Sequence, residues 1–457
     1  MHSGTKYPFA RKVGCHNKGR KPVERMRIAV WHNLPSGGGK RALYDHVRGL
    51  VARGHEVEAW CPPTADRSYL PLRDIVPEHV VPLRGFDNHA GPARRRLYEL
   101  RWNTWAKLRS MERHSRECAR QMHAKEFDLL FAASCILYHT PPIGRFVNMP
   151  SVLYLQEPNR PLYEAQPELP WPAATWTTKE LFSWLFWRPA LLRLLRLPGF
   201  RVVAREERRS ALAFDEILVN SFFSRESVLR AFGIDSKVCY LGVDTDHFVN
   251  ENKKRESFVV FLGALISSKN VDFLVESVGK VSPSLRPRLV LIANTIDPIY
   301  LNRINNIAEE CEVKIEVKYR VSDAEIVDLL NRARVMLYAP RLEPFGYAPL
   351  EANACGAPVI AVAEGGVRET IQDGVNGILV EREPESMAAA LERVMMDDDF
   401  HSRLSAQAQK LVRRIWSLGP SIDRLEGRLR TRTVFAAEKY TDGSKGSRGS
   451  VEPKELV

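Results

Sequence analysis

With 457 residues, 44% hydrophobic and 27% charged, the chain is too long for one ordinary core and too apolar to be disordered. Two globular domains are expected. The formal charge of +12 favours anionic partners, but nucleotide diphosphates, anionic lipid surfaces and nucleic acid would all satisfy it.

Residues 1–25 carry Arg11, Lys12, Lys18, Arg20 and Lys21 without a continuous apolar core, so they read as a loose basic leader and not as a secretory signal. Arg27–Val30 is a short apolar strand. Ser36, Gly37, Gly38 and Gly39 follow, then a helical pattern over 41–52 and an alternating strand over 55–60, which together make a β-loop-α-β unit and predict a parallel sheet. Gly38 and Gly39, placed between strand and helix, suit a compact anion-binding turn. The loop lacks the ending of an ATPase loop, since Lys40 is followed by Arg41.

Further strands are expected over 127–131, 152–155 and 216–219, with two irregular insertions at 92–125 and 157–210. The 181–197 segment is rich in leucine and aromatics, but Arg188, Arg193 and Arg196 interrupt it and Pro189 breaks it. It cannot supply the roughly 20 apolar residues of a spanning helix. It would either lie on an anionic bilayer or cover the protein's own core. The strand ending at Leu155 leads into Gln156, Glu157, Pro158, Asn159 and Arg160, a cluster expected to face a cleft from the side opposite Lys269. Glu157 could accept a proton there or pair with Arg160.

The charged break at 251–256 reads as a linker. Beyond it a second alternating series begins, with strands at 258–262, 288–292, 335–338 and 377–380 and helices at 270–281 and 324–333. These boundaries divide the chain into a first domain at 26–245, a second at 246–400, helices at 401–435 that return toward the first domain, and a mobile tail at 436–457. The seven cysteines are widely spread with no C-x-x-C pair, which favours buried free thiols and a reducing compartment.

The chemistry concentrates at Glu343-Pro-Phe-Gly-Tyr-Ala-Pro-Leu-Glu351 and the Ala352–Ile360 stretch after it. Glu351 can accept hydrogen bonds from a ribose hydroxyl pair, and Glu343 from hexose hydroxyls. Phe345, Gly346 and Tyr347 precede a helix, so their N–H groups can meet phosphate oxygens. Lys269, after the loop that starts at Gly263, can neutralise a leaving diphosphate. None of this needs a metal.

These segments closely resemble the retaining glycosyltransferases of family 4 (glycosyl transferases group 1). The resemblance runs from Arg27 to about Trp416. It is carried by the glycine loop, Val219-Asn-Ser221, Gly242–Phe248, the loop ending in Lys269, the Glu343 to Glu351 element, Gly365-Gly366-x-x-Glu369, and Asp373-Gly374-x-Asn376-Gly377. It implies an α/β GT-B fold: two facing Rossmann-like parallel-sheet domains with a nucleotide-sugar cleft between them. It also implies a metal-independent retaining hexosyl transfer with no tightly bound cofactor, in which the departing phosphate helps to deprotonate the acceptor. Glu343, Lys269 and Gln156 would be the catalytic positions. Gly38, Gly39, Arg160, Gly263, Phe345, Gly346, Tyr347, Glu351 and Arg368 would be the binding positions.

Two positions depart from the family pattern. Ala264 stands where an arginine commonly meets the diphosphate, so Arg341, Arg368 or a first-domain arginine would have to compensate. Gln156 stands where a histidine is common, and it cannot carry histidine's proton. The Gln156-Glu-Pro-Asn-Arg160 segment points to mannose from GDP-mannose, transferred to a glycan or lipid-linked glycan by a cytoplasmic enzyme, peripheral to the membrane through 181–197. The alternatives are a UDP-hexose donor with a small soluble acceptor and a catalytically weakened sugar-nucleotide-binding relative. A nucleic-acid partner, suggested by the charge and by Arg94-Arg-Arg96, is not expected because no reading helix is recognisable.

Overall fold

The computed structural model describes residues 25–84, 102–164 and 184–441. The basic leader up to residue 24, the Arg94–Arg96 run, residues 181–183 of the aromatic segment and the tail from 442 lie outside the described residues.

One sheet is built from β1 (Arg27–Asn33), β2 (Glu56–Cys61), β3 (Glu78–Val80), β4 (Leu129–Cys135), β5 (Ser151–Tyr154), β6 (Glu216–Val219) and β7 (Lys237–Val238). Its order is β3-β2-β1-β4-β5-β6-β7. A second sheet contains β8 (Glu256–Leu262), β9 (Arg288–Ala293), β10 (Ile315–Tyr319), β11 (Ala333–Tyr338), β12 (Val359–Val362) and β13 (Gly377–Val380), in the order β10-β9-β8-β11-β12-β13. Every strand pairing in both is parallel. Parallel sheets bury both faces, so runs such as Leu289–Ala293 are apolar throughout and fully buried. The edge strands β3 and β7 are only three and two residues long, too short to leave a period in the sequence.

Both sheets reverse direction of growth at the same place. The chain adds strands outward from β1 to β3, returns, and lays β4 against the other side of β1; β8 and β11 repeat this. The crevice at the carboxyl ends of the strands beside such a switch point is where open α/β sheets hold ligands. The loop after β1 and the loop after β8 both open into it.

A continuous apolar cluster joins the two sheets. It includes Leu43, Val47 and Phe248 from the first and Phe345, Leu350 and Ala352 from the second, with Trp416 and Leu425 of the C-terminal segments between them. The helix Leu418–Thr441 lies on the first domain: Arg53 pairs with Asp423 and Glu426, and Arg432 pairs with Glu216. Gly49 makes that docking possible, because a Cβ there would lie 2.5 Å from the Ile422 side chain. The helix Trp184–Ala211 includes most of the aromatic-leucyl segment and runs unbroken through Pro189, against the expected break there, because a proline near a helix start gives up only one N–H bond, here to the first turn. No helix among the described residues is long and apolar enough to cross a membrane.

Candidate functional site

A cleft of about 700 Å³ separates the two sheets. The first domain contributes Ser36–Gly39, Arg41, Gln156 and Glu157 to its walls, and the second contributes Gly263, Ala264, Lys269, the 343–348 turn and Glu351. Ten of the twelve positions singled out by sequence therefore meet in one space: Gly38, Gly39, Gln156, Gly263, Lys269, Glu343, Phe345, Gly346, Tyr347 and Glu351.

The turn after β11 is set by backbone conformation. Gly346 has φ 90°, a left-handed value that disfavours any side chain, and a Cβ there would also lie 3.3 Å from the Tyr338 hydroxyl. Gly346 is the N-cap of the helix Tyr347–Ala354, and no side chain caps it. The N–H groups of this first turn are thus available to an anion, with the helix dipole behind them.

Glu351 lies on this helix and is only 3% exposed. Its Oε1 accepts from the Arg41 guanidinium of the first domain, an ion pair that bridges the cleft. Glu351 is the foremost cause holding Arg41 above the ordinary guanidinium range, and the Arg41 head also sits 5.8 Å from the Phe248 ring. A carboxylate accepts at both oxygens, so this pairing leaves Oε2 for another donor. Lys269 Nζ donates to Glu343 Oε2 at 2.7 Å, with both side chains about a quarter exposed, at 24% and 23%. A cation at each end of the turn holds its carboxylate in one orientation.

On the facing wall, a Cβ on Gly38 would meet the Tyr347 ring at 3.5 Å and one on Gly39 the Gln156 amide at 3.2 Å. Gly38 thus faces the second domain at ordinary contact distance, whereas Gly39 packs closely against Gln156 of its own domain. Burial is the main cause pushing the Glu157 carboxyl up to about 7, with Glu343 reinforcing and Arg160 and Lys269 opposing.

Arg160 and Arg368 do not line the cleft. Arg160 Nη2 donates to the Arg341 carbonyl at 3.0 Å and its Nε to Glu164 at 3.1 Å, so it ties the Gln156 loop to the second domain. Arg368 is exposed, and its Nε donates to Gly365 O at 3.2 Å within its own turn. Arg341 is also outside the lining, with Asn270 at 3.5 Å. Of the arginines offered to replace the one missing at Ala264, the cleft contains Arg41 from the first domain.

Several residues act through the loop. A Cβ on Gly365 would fall 2.4 Å from Glu343 O, and one on Gly366 2.0 Å from Pro344 O; Gly366 N–H donates to Glu343 O at 2.7 Å. The Glu343 turn rests on bare backbone. Three residues on, Glu369 accepts from the N–H groups of Phe222 (2.8 Å) and Phe223 (3.0 Å) and from the Tyr240 hydroxyl (2.9 Å). It thereby caps the first-domain helix Phe222–Phe232 with a carboxylate at its positive end. Ser221 Oγ donates to Pro344 O at 2.6 Å. Asn376 donates to Asn353 Oδ1 at 2.8 Å and to Thr370 O at 2.9 Å, fixing the Glu351 helix to the strand beside it. The sequence displays these motifs, but most of their partners, such as Asn353 for Asn376 and Phe222 for Glu369, are distant in the chain, and no local signal announces the pairing.

Among the described residues one group, His32, Cys61 and Glu78, has its ligand atoms within 4.8 Å of one another. None of the three lines the cleft. Glu78 already pairs with Arg67 at 3.0 Å and feels the buried Lys40, so a divalent ion would enter among cations.

Residues 36–247 match the model of Glycosyltransferase Family 4, and residues 242–411 match that of Glycosyl transferases group 1. A D-inositol 3-phosphate glycosyltransferase of Xylanimonas cellulosilytica is 28% identical over 239 residues, covering 48% of this chain and 57% of that protein. The chain spans about half the length of the curated relatives it matches. Among solved structures, Anabaena Alr3699/HepE in complex with UDP aligns with TM-score 0.60 at 17% identity, over 91% of this chain and all of that one. Sucrose-phosphate synthase from Thermosynechococcus elongatus aligns with TM-score 0.64 at 18% identity, over 90% of this chain and all of that one. At these identities the structural matches establish the fold.

Proposed function

Because the chain belongs to the GT-B fold glycosyltransferases, with a family 4 first half and a group 1 second half, we propose that it transfers a hexose from a nucleotide sugar with retention of configuration. The observation that carries this reading is the pair of ion pairs, Arg41 with Glu351 and Lys269 with Glu343, at either end of an uncapped helix N-terminus in one cleft. Glu351 Oε2 takes the ribose hydroxyls, the first-turn N–H groups and Lys269 take the diphosphate, and Glu343 takes the hexose. Arg41 supplies the guanidinium that Ala264 does not. Gln156 positions the hexose as a neutral hydrogen-bonding group.

The donor is UDP-linked in this reading, in place of the GDP-mannose suggested by the Gln156–Arg160 segment. The support is that the solved relative with a named nucleotide is a UDP complex. The acceptor is a small soluble polyol or sugar phosphate, in keeping with the names of the inositol-phosphate and sucrose-phosphate enzymes. Thermal unfolding with UDP, GDP, ADP and dTDP tests the donor, since a ligand at 100 times its Kd stabilises the folded state by about 2.7 kcal/mol. UDP is expected to raise Tm most. A larger rise with GDP overturns the UDP assignment and restores GDP-mannose.

A lipid-linked glycan is the second acceptor reading. It is favoured by one patch of the first domain, where Leu197 (57%), Phe200 (38%) and Trp105 (42%) are exposed and Arg205 lies over the Trp105 ring at 5.9 Å. Apolar groups among arginines suit the interface of an anionic bilayer. On that reading the protein co-sediments with phosphatidylglycerol vesicles, and Leu197→Asp with Phe200→Asp reduces the bound fraction several-fold. On the soluble-acceptor reading neither protein sediments at physiological salt. The free, mostly buried thiols among the described residues support a cytoplasmic location for either case.

A further inference from the structure

We propose that Tyr69 is a positioning residue for the transfer: its hydroxyl holds the Arg41 guanidinium out in the cleft, toward the donor's diphosphate, before the second domain closes. This rests on the reading above, in which Arg41 supplies the guanidinium that Ala264 does not.

Tyr69 lines the cleft beside Ser36–Gly39 and Arg41, and it comes from the loop between β2 and β3. That loop is fastened on both sides of the tyrosine. Asp66 Oδ1 accepts from the N–H groups of Ser68 and Tyr69, each at 2.9 Å, and from Ser68 Oγ at 3.1 Å. Asp66 N–H in turn donates to Leu34 O at 2.9 Å, and Thr64 Oγ1 to Asn33 Oδ1 at 2.9 Å, which ties the loop to the end of β1 and the turn leaving it. On the other side Leu70 has φ 45°, a left-handed value, and Leu72 is fully buried. A leucine keeps that conformation only where its surroundings over-determine the backbone. The strained step leaves Tyr69 at the cleft while the chain after it returns to the core.

Arg41 needs such a holder. Asp45 lies one turn further along the helix Gly38–Ala52, where an arginine's side chain can reach a carboxylate of its own helix. Arg41 does not fall back onto it. Asp45 stands 3.4 Å from Arg48 instead, and Arg41 reaches across to Glu351. Three groups surround the extended head: the Glu351 carboxylate, the Phe248 ring at 5.8 Å, and the Tyr69 hydroxyl as a further acceptor. Glu351 belongs to the second domain and can hold Arg41 only across a closed cleft. The ring offers a face without a directed bond. Tyr69 is anchored in the same domain as Arg41, so its acceptor stays in place whether the cleft is open or closed. A guanidinium presents five N–H donors in a flat fork, so these two acceptors leave others for phosphate oxygens.

Isothermal titration of UDP, or of GDP if GDP raises Tm more, into wild type, Tyr69→Phe, Arg41→Ala and the double variant tests this. Tyr69→Phe keeps the ring and removes only the hydroxyl. It is expected to weaken nucleotide binding about fivefold, near the worth of one hydrogen bond, with the Tm of the ligand-free protein little changed. In the Arg41→Ala background the same substitution should cost nothing further, because the hydroxyl acts through the guanidinium. Losses that add in the double variant overturn the proposal by showing that Tyr69 meets the nucleotide on its own. Wild-type affinity in Tyr69→Phe also overturns it, and a loss that comes with a lower ligand-free Tm assigns the hydroxyl to the fold instead. All three outcomes leave the transfer reading standing. Failure of wild type to bind any nucleoside diphosphate overturns both.

Discussion

Glu351→Ala is expected to weaken binding of the preferred nucleotide about 100-fold, the loss of two charge-assisted hydrogen bonds to ribose at about 1.5 kcal/mol or more each. Isothermal titration with the free nucleotide measures this directly. The variant should also lose about 2–3 kcal/mol of stability in urea unfolding, because Arg41 is left unpaired while only 26% exposed. Arg41→Ala separates the two effects. It frees Glu351 to keep holding ribose, but removes the cation that links the first domain to the second. Its nucleotide affinity should fall less than that of Glu351→Ala, while its turnover falls more than its affinity. Unchanged nucleotide affinity in Glu351→Ala would remove the ribose assignment. Equal affinity losses in the two variants would mean that the ion pair, and not the ribose contact, is what matters.

Gly366→Ala should cost turnover about 100-fold with little change in which nucleotide is bound. The added methyl would fall 2.0 Å from Pro344 O, and backbone cannot yield there without moving the turn that carries Glu343. The same turn is held by Gly366 N–H on Glu343 O and by Ser221 Oγ on Pro344 O, so the displacement acts at both the hexose contact and the domain interface. A shift near 1 Å in a positioning residue is enough for an effect of this size. Gly374→Ala is the control. It has a positive φ, at 72°, which Gly366 lacks, but a Cβ there would meet nothing within 4 Å, so its cost should be confined to backbone strain of about 1 kcal/mol in stability. Wild-type turnover in Gly366→Ala would show that the turn has more freedom than its packing implies.

The amount that was legible differs between parts of the molecule. The Glu343–Glu351 turn could be read because its instructions are local: a glycine at the N-cap, a helix, and two carboxylates at fixed spacing. The same holds for the central strands, whose continuous apolar runs follow from burial on both faces. Arg368 and Arg160 were plausible phosphate ligands by residue type. Hydrogen bonds to Gly365 O and Arg341 O, set by neighbours the local sequence does not name, keep both out of the cleft lining. The roles of Glu369 and Ser221 were hidden for the same reason, since a cap on another domain's helix has no spacing rule.

Two parallel α/β units, and a carboxylate-bearing turn entering the second, follow from local signals, because periodicity, glycine conformation and helix starts are properties of neighbouring residues. Folding alone brings Arg41 to Glu351 and Lys269 to Glu343, and leaves a buried Glu157 oxygen without a hydrogen bond. Those are matters of distance and dielectric, and both are fixed when the two sheets close on a shared apolar core.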